Sequence, residues 1–582
     1  MTPGCGALLS AVLTMPTSVP QAEFLDHVPV ALTFGTSGLR GLVSDITDIE
    51  AYINVKGALR YLLDAGDART GESVVLAGDL RPSTDRIMRA CARAIVDSGC
   101  LVENAGKIPT PALILHAVAN RRAGVMVSGS HIPFDRNGIK LSKSGGEILK
   151  SDEAGITRQV ERVRVEEYGR TAASSAFAPT GMLKKEEHLP PLDRAAEERY
   201  VRRYVACFAR AGLSGLRVLV YEHSAVGRDL LGRILRELGA EVVPAGRAET
   251  FVPIDTENVT PELLDRLEGL VTANAGGRPI HAIVSTDGDS DRPLVTAVLA
   301  DAEGSTPRRR VRFLPGDLLG IVVAEYLRAD AVAVPISAND AVERRMKERG
   351  VLLETTKIGS PFVISGMEAI ARSAASKRIV GWEANGGFLV GSAIDIGRET
   401  LGALPTRDAM LPILANLFAA AEAHVTLPSL WDRLPARYGA AGLIDDVPVP
   451  VSRSIAARLI VQGDVVDVGL EHAGRVVDLG AMASTPAQLA APAADAWRER
   501  QATLKRFFTP ALGFDDIVRI NVLDGVRIYF QSGDVAHIRA SGNAPQLRIY
   551  ANSDSQARAD EIVALGLREP DGILRSMEKA LA

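Results

Sequence analysis

Short apolar runs that stop abruptly at polar, glycine-bearing loops constrain this chain more than any other feature. Val74–Gly78 (VVLAG), Val125-Met126-Val127, Arg217–Tyr221 (RVLVY), His281–Val284 (HAIV), Ala331–Pro335 and Arg378–Gly381 read as buried strands. Helix-forming stretches alternate with them. In the first third, Ser83 or Thr84 caps a helix running to about Ser98. A strand around Leu101–Ala105 and a helix around Pro111–Asn120 follow. This β-α-β-α-β order predicts a parallel sheet with right-handed crossovers. In open α/β sheets ligands bind at the carboxyl edge of the strands. The chemistry is therefore sought in the loops that follow each run.

The first such loop is Val125–Lys140, VMVSGSHIPFDRNGIK. Pro133 bars Ile132 from a helix, and Asn137-Gly138 makes a second turn. A hydroxyl, an imidazole and an amine (Ser130, His131, Lys140) share one tight segment. Ser130 is the candidate nucleophile, and a serine hydroxyl needs a base, a metal or prior phosphorylation to react. Taken alone, the loop fits a hydrogen-bonded turn better than a catalytic one. Asp79 and Arg81, at the end of the neighbouring strand, are expected to form an ion pair bracing it.

The second loop is Ser285–Arg292, STDGDSDR. Asp287, Asp289 and Asp291 converging in a tight loop would repel one another unless a divalent cation joined them, the alternative being a solvated acidic turn. An EF-hand is excluded, because its sixth position is Arg292 and its twelfth Val298. Oxygen ligands with room to spare suit magnesium shared with a phosphate. The third loop, Trp382–Phe388 (WEANGGF), offers Glu383 and Asn385, a pair suited to adjacent sugar hydroxyls, although taken alone the loop fits a hairpin turn better. Two further segments are anion-seeking. Thr33–Gly41 (TFGTSGLRG) combines three glycines with Arg40. Ile538–Tyr550 (IRASGNAPQLRIY) combines Arg539, Ser541, Gly542, Asn543 and Arg548.

The remaining units follow the same rhythm. In the second, Gly227–Leu238 is a helix and Glu241-Val242-Val243 a strand. In the third, Gly316–Leu327 and Asn339–Arg349 are helices and Val351–Thr355 a strand ahead of the Thr356–Ser360 loop. From Leu430 the pattern changes. Val518–Val522 and Gly525–Tyr529 read as strands, Pro486–Phe508 as a helical piece and Ala557–Leu567 as a closing helix. Thr171–Asp193 reads as an insertion or linker. At roughly 150 residues per domain, 582 residues predict about four domains.

Composition removes several classes. A net charge of −5 argues against a nucleic-acid binder, so an anionic ligand must be held by local basic residues. No apolar run is long enough for a membrane span. Cys5, Cys91, Cys100 and Cys207 have neither metal-site spacing nor the density of a disulfide framework, which fits a reducing cytoplasm. The apolar patch Ala7–Met15 has no basic residue before it, unlike a secretory signal. Residues 1–30 are expected to be a disordered extension, or the true start is Met15.

Together the segments resemble the α-D-phosphohexomutases, the phosphomannomutase/phosphoglucomutase superfamily, over about residues 33–570. SGSHIPFDRNGIK resembles the phosphoserine loop, DGDSDR the metal loop, GWEANGGF the sugar loop and RASGNAPQLRIY the phosphate loop. FGTSGLRG matches the N-terminal motif. The resemblance implies three related mixed-sheet α/β domains plus a smaller C-terminal α+β domain around a central cleft. The expected spans are 31–180, 195–305, 306–428 and 429–582. It implies reversible movement of phosphate between O1 and O6 of a hexose, through phosphorylated Ser130 and a hexose 1,6-bisphosphate. Ser130 with Asp287, Asp289 and Asp291 would hold Mg2+, and Arg40 and Arg292 would neutralise charge. Lys140, tuned toward neutrality by nearby cations, is the first choice of general acid/base and His131 the second. Glu383 and Asn385 would hold O3 and O4, with Gly359 and Ser360 also lining the sugar site. Arg539, Ser541, Gly542, Asn543 and Arg548 would grip the phosphate that is not reacting.

Departures from the family pattern fall on substrate choice. They are Ile132 for an asparagine, Asn385 for serine, Gly387 for histidine and Asn543-Ala544 for Thr-Glu. The EANGG loop looks closer to bacterial phosphomannomutases, with phosphoglucomutase and phosphoglucosamine mutase as alternatives and a non-catalytic sugar-phosphate binder as the other class. Nothing in the sequence sets the oligomeric state, monomer or dimer.

Overall fold

The structure, a computed structural model, describes residues 23–35, 38–209, 211–299, 310–373, 378–397, 399–461, 463–471, 475–480, 486–540 and 545–581. Three of its sheets repeat one plan. Each has an outer strand, a first strand and a third strand in parallel, followed by a return strand that is antiparallel. In the first sheet these are Leu101–Lys107, Ser73–Gly78, Gly124–Val127 and Arg136–Lys143. In the second they are Glu241–Arg247, Arg217–His223, Ala282–Thr286 and Pro293–Val298. In the third they are Leu352–Thr356, Ala331–Pro335, Ile379–Trp382 and Phe388–Val390.

The antiparallel return strand makes each sheet mixed, where the alternation of strands and helices by itself predicts a parallel one. It also places the site. The connection between third strand and return strand is the Ser130 loop in the first sheet, the aspartate loop in the second and the Glu383 loop in the third. Three chemically different loops thus occupy one position in a repeated plan, at the carboxyl edge of each sheet. In the first sheet the Arg40-bearing strand, Gly38–Leu42, pairs with the return strand and sets Arg40 opposite Gly138.

The fourth sheet is antiparallel throughout, running from Tyr438–Ile444 through Leu547–Ser553, Val535–Ala540 and Val526–Phe530 to Ile517–Asn521 and beyond. Helices Ala491–Lys505, Gln556–Leu567 and Ile573–Leu581 belong to this part of the chain. The helical piece expected over Pro486–Phe508 is shorter, because Ala487–Gln488 adds a last strand to the sheet.

The first three sheets share one continuous core, in which Leu113, Tyr204, Leu235, Leu319, Trp382 and Phe418 are buried together. The fourth sheet has a core of its own around Trp497, Phe508, Ile528 and Ile549. Its seam with the third unit is polar. Arg519 pairs with Glu343 at 2.6 Å, Arg437 with Asp340 at 2.8 Å, and Asp524 accepts the Ile358 amide at 3.0 Å.

The Thr171–Asp193 stretch is no loose linker. Phe177 is fully buried beside Tyr52, and the Leu183 amide donates to Asp48 of helix Asp48–Ala65 at 2.9 Å. The segment closes over the first unit. No helix among the described residues is long and apolar enough to cross a membrane.

Candidate active site

The Ser130 loop is shaped from beneath by Arg81. This buried guanidinium donates to the carbonyl oxygens of Ser130 (2.9 Å), Ile132 (2.6 Å), Pro133 (2.5 Å) and Arg136 (2.9 Å). It pairs with Asp79 at 3.2 Å, the ion pair expected from sequence. Asp79 in turn accepts the hydroxyls of Ser128 (2.9 Å) and Thr84 (2.6 Å), and Ser128 accepts the Ser130 amide (2.8 Å). The other face of Arg81 stacks on Phe251, 3.9 Å from the ring centroid. Only glycine fits at 129, where a Cβ would lie 2.6 Å from Arg81 Cζ. Ser130 is held at φ +55, a left-handed conformation that a serine adopts only under constraint.

That constraint aims Ser130 Oγ at the second loop, where it donates to Asp287 at 2.6 Å. The loops touch backbone to backbone, since a Cβ on Gly288 would stand 2.5 Å from the Ser130 carbonyl. Oxygens of Asp287, Asp289 and Asp291 lie within 4.8 Å of one another, all buried. Thr110 pins Asp289 by its hydroxyl (2.5 Å) and its amide.

Burial, then Asp289 and Asp291, raise the pKa of Asp287 well above the carboxylate range. Burial would raise Asp291 too, but Arg407, Lys140 and Arg292 outweigh it and hold that carboxylate ionised. Asp289 Oδ1 and Asp291 Oδ1 are buried with no hydrogen-bond partner among the described residues. Hard oxygen donors with open lone pairs in a closed cluster fit a divalent cation of the magnesium type.

Lys140 requires a correction. Its Nζ lies 2.6 Å from Asp289 and 2.8 Å from Asp291. Burial works against its charge, but the two carboxylates prevail and its pKa is raised. An amine between two carboxylates is not tuned toward neutrality. His131 is the neutral group: burial, then Arg292 and Arg40, push its pKa down to about 2. Its Nδ1 lies 3.3 Å from Ser130 Oγ.

Three guanidiniums face this cluster. Arg40 forms no side-chain hydrogen bond or ion pair among the described residues. Burial, Arg292 and Arg407 lower its pKa to about 10. Arg292 is only loosely paired, 3.8 Å from both Asp291 and Asp255, and its buried Nε has no hydrogen-bond partner among the described residues. Under-neutralised, mutually repelling cations favour an anionic ligand.

Arg407 is the residue that sequence reasoning missed. It is 2 % exposed and binds Asp291 (2.9 Å) and Glu383 (2.8 Å), joining the metal loop to the sugar loop. Its signal was Arg407-Asp408 at the end of strand Leu404–Asp408, the same carboxyl edge as the other loops. It also accounts for Gly387, where a Cβ would meet Arg407 Cδ at 2.6 Å.

Glu383 therefore enters the site already paired. The side-chain oxygen of Asn385 accepts the Gly387 amide at 2.9 Å, which folds the loop on itself. Gly359 turns the chain at φ +128, and Ser360 is fully buried with its hydroxyl donated to Glu147 at 2.8 Å. That hydroxyl ties the first unit to the third. Arg539 and Arg548 are cross-strand partners on one face of the fourth sheet. Arg539 leans on Asp524 at 3.1 Å, and Arg548 Nε is buried without a partner among the described residues. Ser541, Gly542 and Asn543 lie outside the described residues.

Residues 31–167 match domain I of phosphoglucomutase/phosphomannomutase, 315–438 match domain III and 475–565 match the C-terminal domain. A phosphomannomutase of Sinorhizobium fredii is 36% identical over 543 residues, covering 92% of this chain and 98% of the relative. The chain belongs to the phosphoglucomutase/phosphomannomutase family. It is a phosphohexomutase, an isomerase. A Salmonella muenchen phosphomannomutase is also 36% identical, over 91% of this chain and 94% of its own. The fold of this phosphohexomutase is that of a family protein from Burkholderia thailandensis (TM-score 0.62, 17% identity, 94% and 98% covered). It is also that of Aspergillus fumigatus N-acetylphosphoglucosamine mutase, solved with GlcNAc-6P and magnesium (TM-score 0.50, 14% identity, 95% of each chain).

Proposed function

We propose that this phosphohexomutase is a phosphomannomutase. It interconverts hexose 6-phosphate and hexose 1-phosphate through phosphorylated Ser130 and a hexose 1,6-bisphosphate. The observation that carries the reading is the convergence on one serine. A strained Ser130 points its Oγ at a buried tri-aspartate cluster while Arg40, Arg292 and Arg407 surround both. The names of the two relatives that match nearly the whole chain support mannose as the sugar.

Phosphoryl transfer passes through a loose transition state, so catalysis rests on alignment and charge neutralisation. Arg81 fixes the loop, and Ser130 presents the phosphoryl group in line with the sugar. Arg40 and Arg292 bind the equatorial phosphoryl oxygens, and Lys140 stays charged to balance Asp289 and Asp291. His131 is the candidate acceptor for the proton of the attacking sugar hydroxyl, once bound phosphate offsets the Arg292 and Arg40 charges that add to burial in depressing its basicity, and it returns the proton in the reverse direction. Asp287, Asp289, Asp291 and the Ser130 phosphate would hold Mg2+, which supplies electrophilic neutralisation of the transferring group when bound. Glu383 and Asn385 take sugar hydroxyls. Arg539, Arg548 and the Ser541–Asn543 segment anchor the distal phosphate, so that either end of the bisphosphate can face Ser130.

The test is a comparison of kcat/KM on mannose 1-phosphate, glucose 1-phosphate and glucosamine 1-phosphate with Mg2+ and trace 1,6-bisphosphate. Mannose is expected to lead. A higher value on glucose or glucosamine reassigns the substrate, and no 6-phosphate from any of them overturns the reading.

A further inference from the structure

Between the Ser130 loop and the Glu383 loop runs a segment with no role so far, Phe251–Glu257 (FVPIDTE). It is anchored at both ends. Phe251 is buried against Arg81 beneath the Ser130 loop. Thr256, 1 % exposed, donates its hydroxyl to the Asn385 carbonyl at 2.8 Å, inside the Glu383 loop. Between them Ile254 is buried in the core of the second unit. Asp255 accepts the Glu257 amide at 3.0 Å, closing a turn that fixes where the Glu257 side chain leaves the backbone.

Glu257 itself is solvent-exposed, and its carboxylate has no hydrogen-bond or ion-pair partner among the described residues. The charges that act on it are Arg292 and Asp255 of the second unit, Glu383 of the third and Arg548 of the fourth. Asp317, at the start of helix Gly316–Tyr326, also feels its charge. Its chain neighbours reach two loops, Thr256 the Asn385 carbonyl at 2.8 Å and Asp255 the Arg292 guanidinium at 3.8 Å, so the Glu257 side chain leaves the backbone where the second and third units meet.

The chemistry selects its ligand. A carboxylate repels a phosphate dianion, and both phosphate positions are already provided with cations, at Arg40/Arg292 on one side and Arg539/Arg548 on the other. What lies between two phosphates of a hexose bisphosphate is the sugar ring, whose hydroxyls donate hydrogen bonds that a carboxyl oxygen accepts. Resting on the phosphohexomutase reading, we infer that Glu257 is a sugar-recognition residue that accepts a hydrogen bond from a ring hydroxyl of the bound hexose phosphate. The rigid anchoring of its loop to Asn385 sets it in register with the Glu383 side of the ring.

The experiment measures kcat/KM for the wild type, E257Q and E257A on the preferred hexose 1-phosphate and its 2-, 3- and 4-deoxy analogues. E257A is expected to lose on the order of 10- to 100-fold on the parent sugar, mostly through KM, while phosphate labelling of Ser130 stays at wild-type stoichiometry. The penalty for deleting one particular hydroxyl, present in the wild type, is expected to vanish in E257A and to persist in part in E257Q. An active wild type whose deoxy penalties are all unchanged in E257A overturns this inference and leaves the phosphohexomutase reading intact. A wild type inactive on every hexose phosphate overturns both.

Discussion

Replacing Arg407 with methionine keeps most of the stem that packs beside Gly387 and removes the charge. The bonds that go with it include those at 2.9 and 3.2 Å to Asp291 and at 2.8 Å to Glu383. Asp291 keeps Lys140 at 2.8 Å, whereas Glu383, buried at 6 % exposure, loses its cationic partner. Truncating one side of a buried charge pair costs about 3–5 kcal/mol. Carried into the transition state, that is roughly a 10²- to 10⁴-fold loss in kcat/KM. R407K is expected to lie between, because an ammonium reaches one carboxylate where the guanidinium fork spans two. The double variant R407M/E383Q separates structure from catalysis. Neutralising the orphaned carboxylate should recover thermal stability without recovering activity. Steady-state kinetics and calorimetry on the four proteins decide it. R407M within fivefold of wild type, or a double variant with restored kcat/KM, would refute the bridging role.

Further outcomes follow from the same geometry. R81M strands buried Asp79 and frees four carbonyls of the Ser130 loop. We expect about 3–5 kcal/mol of destabilisation, read by calorimetry, and loss of Ser130 labelling. D79N/R81M should regain part of the stability but not the label. An unchanged transition in R81M would contradict the bracing assigned to it. D289N is expected to raise the half-saturating Mg2+ concentration at least about tenfold and to lower activity with it; an unaltered Mg2+ titration would remove Asp289 from the cation site.

Asp317 gives a pH prediction. Burial holds its proton to about pH 7 in the folded protein, against 3.8 for a free carboxylic acid. The folded state binds the extra proton, so this contribution is complete below about pH 4 and is lost as pH rises through 7. At most roughly 4 kcal/mol is involved. D317N should flatten the fall in melting temperature between pH 5 and 8, and an identical slope in both proteins would sink the assignment.

What the sequence discloses here is local. The run of Val125–Val127 into Ser128-Gly129-Ser130 carries its strand, its turn and its nucleophile in adjacent residues. So do His281–Val284 into the aspartates and Arg378–Gly381 into Glu383. The Asp79–Arg81 pair is equally local. What escaped depends on contacts between distant positions. Arg407 reaches Asp291 across 116 residues, and no periodicity marks such a partner. The state of Lys140 reversed because its charge is set by Asp289, 149 residues away, and by Asp291. The partner of Ser360 was hidden for the same reason, because Glu147, which takes its hydroxyl, lies in another unit. Thr171–Asp193 read as an insertion or linker because its composition is polar, while one buried phenylalanine, Phe177, ties it down.

The central claim is best tested by following one phosphate. Protein labelled on phosphorus is mixed with unlabelled hexose 6-phosphate and Mg2+ in a single turnover, and both peptide and sugar products are mapped. The account predicts label on the Ser130 peptide alone, leaving at the rate of turnover and appearing in hexose 1,6-bisphosphate. Label on any other residue, or label released to water instead of sugar, would contradict it.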